Sequence, residues 1–560
     1  MKDALKRERV KGFLHVRDGR IVNEDGEEVL LTGWGLGNYL LCEGYMWLND
    51  GANRMDRPRR IENIVRECAG SEYAEAFWKK YRENYITEAD IRRMAELGYN
   101  SVRIPITSRL FIKEEPGLQW VEEGFLLLDR VIDFCEKYGV YAFIDLHGAP
   151  GGQTGANIDD SIDDLPRLFI DRDSYDKGVA LWKKLAERYK DRSIVAGYDI
   201  LNEPLRSPRK TLPDGTPDPE DDMAKYLPEL SGFYRDAIAA IREVDPNHLL
   251  SLEGHRWATD PAVFDHSFDP EMVIHFHRYA CHPGPEVYTE YLERQDALKA
   301  PLWLGETGEN YPEWYAAMYP LALELSIGFN IWPWKKLSER HVQNNPYRIR
   351  TPKNWKKITD YANGGVRPSY EEAQEIFDEF LENMKLENCE FSEKVHASLF
   401  RRPGTTLRAT DFDELPLADG SLPYAFNKAY ENDTPYRKNT GAHLVNHYPD
   451  AARMFAFDTM MMRYTLGLEK GESVRYSFYD IASGNTLDIT GFTKGCVRLS
   501  VTLLADGTTK KTSEYAFGVQ KSTASEAFAI RDLPLPDTEK LTVLIEVIDG
   551  SPELEELILK

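Results

Sequence analysis

Cysteine is scarce in this chain of 560 residues, and its spacing pairs none of it. The six cysteines, Cys42, Cys68, Cys135, Cys281, Cys389 and Cys496, form no C-x-x-C pair. That excludes a zinc-finger framework and a disulfide scaffold, and it favours reduced thiols. Long apolar runs are also missing. No stretch approaches the roughly 20 residues that a bilayer span needs. The opening MKDALKRERVKGF is basic with no apolar segment behind it. Neither a membrane span nor a secretory leader is expected, and the expected location is cytoplasmic. Positive charge is in deficit: 69 Lys and Arg stand against 93 Asp and Glu, a formal net charge of −24. Nucleic acid and anionic membrane surfaces are poor partners for such a chain. Internal repeats and low-complexity tracts are absent, and so is tryptophan beyond Trp355, where the last of the eleven lies.

What remains is a globular composition, 42% hydrophobic and 29% charged, in a chain too long for one core. Eight short apolar runs punctuate the first 385 or so residues: EVLLTGW (28–34), NSVRIPI (100–106), VYAFIDLHG (140–148), IVAGYDILNEP (194–204), HLLSLEGH (248–255), MVIHFHRY (272–279), APLWLGET (300–307) and IGFNIWPW (327–334). Helical patterns lie between most of them, such as TEADIRRMAELG (87–98) and LLLDRVIDFCEKYG (126–139), where Leu128, Val131, Ile132 and Cys135 share one face. SYEEAQEIFDEFLENMK (369–385) reads as a closing helix capped by Ser369. Alternating strands and helices require a mostly parallel sheet, and eight units at this length predict a (β/α)8 TIM barrel over 1–388, with a helical insertion near 40–86. After about 390 the pattern becomes alternating short strands, as in SVRYSFYDI (473–481) and KLTVLIEVI (540–548). This predicts an all-β sandwich over 389–560.

Active sites of such barrels lie at the C-terminal ends of the strands. Here those ends are crowded with ionisable and aromatic groups: Arg103, Asp145, His147, Asn202, Glu203, Glu253, His255, His275, His277, Tyr279, Glu306, Trp332 and Trp334. A packing layer would prefer Val, Ile and Leu, so this pattern points to a site. Glu203 follows the fourth strand and Glu306 the seventh, on opposite sides of a closed barrel. Two facing carboxylates about 5–5.5 Å apart serve retaining glycoside hydrolysis. One attacks the anomeric carbon, and the other protonates the leaving oxygen and then activates water. A zinc site on His275, His277 and His282 is the metal alternative, without a matching carboxylate or lysine arrangement at the other strands. A non-catalytic sugar-binding protein is a third reading. Glu309 reads as an ordinary loop acid, and the acidic run 212–222 as a solvated loop.

LNEP at the fourth strand and LGETG at the seventh resemble glycoside hydrolase family 5, in the clan of barrels with a glutamate at each of those strands. DLHGAPGGQTG (145–155) is similar to the exo-β-1,3-glucanase branch. SVRIPI, HFHRY and IWPWK resemble the family's second, sixth and eighth strands. The resemblance implies Glu306 as nucleophile and Glu203 as acid/base. It implies that Arg103 and Tyr279 hold Glu306, that Asn202 binds the sugar 2-hydroxyl, that His147 and His277 position the sugar or the acid/base, and that Trp332 floors the first sugar site. It implies a carbohydrate substrate and no cofactor. The substrate expected is a β-glucoside or short oligosaccharide, with a β-mannoside as the rival. Long loops at 156–177, 206–228 and 335–367 favour a pocket and exo action over an open cleft. The C-terminal segment, through LRATDFDELPLADGS and GLEKGESVRYSFY, resembles carbohydrate-binding module families 6 and 35. With no tryptophan there, Tyr424, Tyr436 or Tyr448 would have to stack on sugar; the competing expectation is a sandwich that only buttresses the barrel or shapes its pocket.

Overall fold

Strands buried on both faces read as continuous apolar runs, and this is what closes the core. The computed structural model describes residues 5–49, 51, 53–518 and 525–560. Eight parallel strands form a closed barrel in chain order: β1 (Thr32–Gly35), β2 (Ser101–Thr107), β3 (Tyr141–Gly148), β4 (Val195–Asp199), β5 (Leu249–Glu253), β6 (Met272–Arg278), β7 (Leu302–Thr307) and β8 (Gly328–Ile331). β8 pairs with both β7 and β1. Every residue of β2 and β3 is buried. These are the eight runs read from the sequence. Four stop short of the expected end: β4 ends at Asp199, β5 at Glu253, β6 at Arg278 and β8 at Ile331. Asn202, Glu203 and Trp332 therefore sit just past their strands, in loops free to take the backbone angles a site requires.

Helices α1 (Pro58–Ala69) and α2 (Ser71–Asn84) make up most of the helical part of the insertion. Next come α3 (Glu88–Glu96), α4 (Glu122–Tyr138), α5 (Arg172–Tyr189), α6 (Leu227–Arg242), α7 (Thr289–Leu298), α8 (Pro312–Glu324) and the closing α9 (Tyr370–Asn383). In α4 the predicted face is fully buried. Gly139, at φ 61, ends that helix in the left-handed conformation that glycine adopts without cost. Reciprocal capping boxes start α3 (Thr87 with Asp90) and α9 (Ser369 with Glu372).

Asp90 has a second duty. Its other carboxylate oxygen accepts from the Trp334 indole N–H at 3.0 Å and pairs with Lys335 Nζ at 2.9 Å. Lys335 and Asp90 are both fully buried, and Lys335 also donates to the Met384 carbonyl. This ion pair fastens the chain leaving β8 to the start of α3 and the end of α9. Trp334 is thus a packing residue, wedged against Trp34.

Beyond residue 400 two antiparallel sheets form the sandwich. One has six strands, including Thr486–Thr493 and Pro552–Leu559, and the other five, including Ser473–Ile481, Val497–Ala505 and Thr538–Asp549. Val497–Ala505 buries every second residue, as a strand with one covered face must. The sandwich docks on the barrel through Arg401, which donates to the Ala316 carbonyl of α8 at 2.7 Å, and through Tyr436, stacked on His282. Tyr436 is fully buried and bonded to Asp411, which leaves it no face for a sugar. Tyr424 packs on Phe426 and Phe412, and the Tyr448 hydroxyl is taken by Glu555. No helix among the described residues is long and apolar enough to cross a membrane.

Asp90→Ala is expected to cost about 3–5 kcal/mol, the penalty for stranding a buried charge. Urea denaturation followed by tryptophan fluorescence measures it, and a loss below about 1 kcal/mol would contradict the account.

Candidate active site

A guanidinium buried without partners is prohibitively costly, so the surroundings of Arg103 define the centre of the barrel mouth. Arg103, in the middle of β2, is fully buried. Its Nε meets Asp199 Oδ2 at 2.7 Å and its Nη1 meets Glu306 Oε2 at 2.6 Å. Nη2 reaches Asn202 Oδ1 at 2.7 Å, Glu253 Oε1 at 2.9 Å and Asp145 Oδ2 at 3.2 Å. Four strands, β3, β4, β5 and β7, thus converge on one side chain of a fifth. Four carboxylates around one cation leave excess negative charge. Burial raises Asp145 and Glu253 above their ordinary values, with Asp199 adding to the effect in both and His277 opposing it. His277, held above its ordinary value, shares the compensation with Arg103.

Glu306, near the end of β7, accepts from Arg103 on one oxygen and from the Tyr279 hydroxyl on the other, at 2.8 Å. Burial alone would raise it. His277, Arg103, His147 and the Tyr279 hydroxyl together overcome that and hold it below the usual glutamate range. Glu203 lies across the mouth with His277 Nδ1 at 2.9 Å from its Oε1. One oxygen of Glu203, one of Glu306 and a His277 nitrogen all lie within 4.8 Å of one another. His277 is held well above its ordinary value: burial would lower it, but Glu253, Glu306 and Glu203 prevail.

Glu203 adopts φ 39, a left-handed backbone unusual for a non-glycine residue. Such strain costs roughly 1–3 kcal/mol. Its N–H donates to Glu253 Oε2 at 2.7 Å, and a hydrogen bond to a charged group returns about 1.5–3 kcal/mol. Glu253 therefore fixes Glu203 and Arg103 at once, a role its place at a strand end did not disclose. Gln153 is a second such brace, donating to the carbonyls of His147 and Asn202, each at 2.8 Å.

Trp332 lies flat against His147, ring centroids 5.2 Å apart and planes within 3°. A Cβ on Gly35 or Gly37 would stand 2.5 or 2.6 Å from the Trp332 ring, so only glycine fits at those two positions of GWGLGN. The indole N–H donates to the Tyr45 hydroxyl at 2.7 Å. Asp145 Oδ2 holds His147 Nδ1 at 2.8 Å.

The eight site residues read from the sequence, Arg103, His147, Asn202, Glu203, His277, Tyr279, Glu306 and Trp332, thus surround one mouth. Others fall elsewhere. His282 stacks on Tyr436 of the sandwich, and His255 faces Asp260. Without His282, the donor groups within 4.8 Å among the described residues are Glu253–His275–His277 and Glu203–His277–Glu306. Both lean on Arg103, so a metal there would sit against an existing cation.

The mouth opens into a cavity of about 1350 Å³. Loop residues missed in the sequence line it: Glu43 and Tyr45 after β1, Trp257 after β5, and Glu309, which pairs with Lys336 and is not the plain loop acid expected. Glu43 is buried, and its carboxyl is raised well above the ordinary value by burial and by Glu306, Glu309 and Glu203, with Lys336 opposing. Phe455, Ala456 and Phe457 of the C-terminal region line the same cavity.

Residues 63–338 match the family model described as cellulase, glycosyl hydrolase family 5. A β-xylosidase of Phanerodontia chrysosporium is 33% identical over 321 residues, 53% of this chain and 62% of that protein. A probable glucan 1,3-β-glucosidase A of Aspergillus clavatus is 26% identical over 302 residues, 50% of this chain and 66% of that one. The chain thus spans less than two thirds of the length of either relative. The crystal structure of an endogalactoceramidase aligns over 97% of this chain and 99% of that one, at 14% identity and a TM-score of 0.45.

Burial, the largest cause, lowers His147 to about 4, against about 6.5 in an unfolded chain. Stability linked to it is therefore complete above about pH 6.5 and is lost as the pH falls toward 4. In His147→Gln the melting temperature is expected to fall less steeply over that window than in the wild type. Parallel curves would show that the histidine does not carry this linkage.

Proposed function

We propose that this chain, whose barrel belongs to glycosyl hydrolase family 5, is a retaining, exo-acting β-glycosidase that releases a terminal sugar from small glycosides or oligosaccharides. One observation carries the reading. Oxygens of Glu203 and Glu306 lie within 4.8 Å of each other, short of the roughly 6.5–9.5 Å that leaves room for an inverting water and on the side of the retaining enzymes.

The two roles follow from unequal surroundings. Glu306 has a guanidinium and a phenol hydroxyl on its oxygens and is held in the ionised form, so it is the nucleophile. It attacks the anomeric carbon while the bond from that carbon to the leaving oxygen breaks. Glu203 gives its proton to that oxygen, with His277 orienting its carboxyl. Glu203 then takes a proton from water, the water oxygen bonds to the anomeric carbon, and Glu306 departs as carboxylate. Asn202, its carbonyl oxygen fixed by Arg103, presents its amide to the sugar 2-hydroxyl. Trp332 forms the floor.

Exo action rests on the cavity walls. The long loops after β3, β4 and β8 all contribute lining residues, among them Ile158, Ser207 and Arg340. Walls on several sides suit one chain end better than the middle of a polymer. The sugar is a β-glucoside or β-xyloside, in keeping with the names of the two relatives; these differ by the hydroxymethyl group on C5.

A panel of aryl β-glycosides tests this: glucoside, xyloside, mannoside, galactoside and cellobioside. The expected result is release from one or two monosaccharide glycosides, with the β-anomer appearing first by proton NMR. Glu203→Gln and Glu306→Gln are each expected to lower turnover by at least about 10²–10⁴-fold. First appearance of the α-anomer, or normal turnover by Glu306→Gln, would overturn the proposal.

A further inference from the structure

We infer that the C-terminal domain is a working part of the catalytic centre: its loop Met454–Met460 walls the substrate cavity, and Phe457 on that loop positions Tyr279 against Glu306. The inference rests on the proposed reaction and goes beyond it, because it assigns the sandwich a task other than holding a separate sugar.

The loop belongs to the connection 447–463 between the sandwich strands His443–Asn446 and Tyr464–Gly467, which pair antiparallel. A connection of this length exceeds the about 12–15 residues beyond which loops are uncommon unless they serve a function. It is built to hold a shape. At its base the N–H groups of His447 and Tyr448 both donate to the Arg463 carbonyl at 3.0 Å. Asp458, buried, accepts from the N–H groups of Met454 at 3.2 Å and Met460 at 2.7 Å, closing the tip into a compact turn.

The tip is fastened to the barrel by residues just past β7 and β8. Asn310, four positions after Glu306, donates its side-chain amide to the Phe457 carbonyl at 3.0 Å. Tyr311 meets the Phe455 ring edge-on at 5.0 Å, and the Arg340 guanidinium lies over that ring at 5.2 Å. Phe455 is thereby buried. Ala456 remains exposed and Phe457 half-exposed, and both line the cavity. The loop spends one aromatic on anchoring and directs the next toward the site.

Phe457 packs on Tyr279 with ring centroids 4.6 Å apart. Tyr279 donates to Glu306 Oε1 at 2.8 Å. One ring from the sandwich is therefore two contacts from the attacking oxygen. Removing it frees one side of Tyr279 and lets the hydroxyl drift from the carboxylate that must be held for in-line attack.

The experiment uses the full-length protein with p-nitrophenyl β-glucoside and β-xyloside. Active sites are counted with a 2-deoxy-2-fluoro glycoside carrying a dinitrophenolate leaving group, so that misfolded molecules drop out of kcat. Phe457→Ala is expected to lose about tenfold in kcat per titrated site, near the upper range of an aromatic pair, and Phe457→Tyr, which keeps the ring, to regain most of it. A kcat within twofold of wild type in Phe457→Ala would overturn the positioning role. Should that variant not fold, Ala456→Trp decides the wall: the residue is exposed, so the fold tolerates the change, and the added ring is expected to raise KM at least fivefold. An unchanged KM overturns the inference. Calorimetric binding of the same glycosides is read in parallel. An inert wild type would then count against the proposed reaction, while the binding loss in Ala456→Trp still decides the loop.

Discussion

The site depends on one buried cation. Arg103 lies in the interior of the barrel with no access to water, and everything that can carry chemistry at the mouth is set by its need for partners. Its three nitrogens reach Asp145, Asp199, Asn202, Glu253 and Glu306. In a medium of low polarity such contacts are strong, and they are costly to leave unmade. The guanidinium therefore determines the register of five strand ends relative to one another. It also splits the two central glutamates into different electrostatic settings. Glu306 takes the cation and the tyrosine, while Glu203 is left to His277 and to a strained backbone that Glu253 holds in place. One interaction thus serves both folding and the division of labour that the proposed double displacement requires.

Much of this was legible in the amino-acid sequence, for a physical reason. A carboxylate or an imidazole at the end of an apolar run is expensive unless it has a partner, so Arg103, Asp145, Glu203, His277 and Glu306 stand out against their neighbours. The period-two alternation of a strand placed His277 and Tyr279 on one face, and His147 beside Asp145. The loops were opaque. Glu43 follows β1 with no strand register to aim it. Glu309 reads as a solvated acid because its role depends on Lys336 returning from beyond β8. The expected end of the fourth strand was four to five residues too late, because Leu201 and Leu205 are apolar and buried although the strand has already stopped. Phe457 carried no signal at all. Its partner Tyr279 lies in the other domain, and only the folded chain brings them together.

The sandwich meets the barrel's cavity through a loop of its own. The aromatic residues that read as sugar-stacking candidates in the sandwich are used for packing: Tyr436 against His282 and Asp411, Tyr424 against Phe412. Phe455 and Phe457, by contrast, line the barrel's own cavity. Under the proposed reaction, a change in the sandwich loop varies the space around the first sugar and leaves the strand ends and their charge balance untouched.

The central claim is that Glu306 forms the bond to the sugar while Glu203 moves the proton. Incubation with a 2-deoxy-2-fluoro-β-glycoside bearing a good leaving group, followed by proteolysis and mass spectrometry, reads this directly. The account predicts one covalent adduct per chain, on the peptide that contains Glu306 and on that carboxylate. An adduct on Glu203, or slow turnover of the reagent with direct release of the α-anomer and no trapped intermediate, would contradict it.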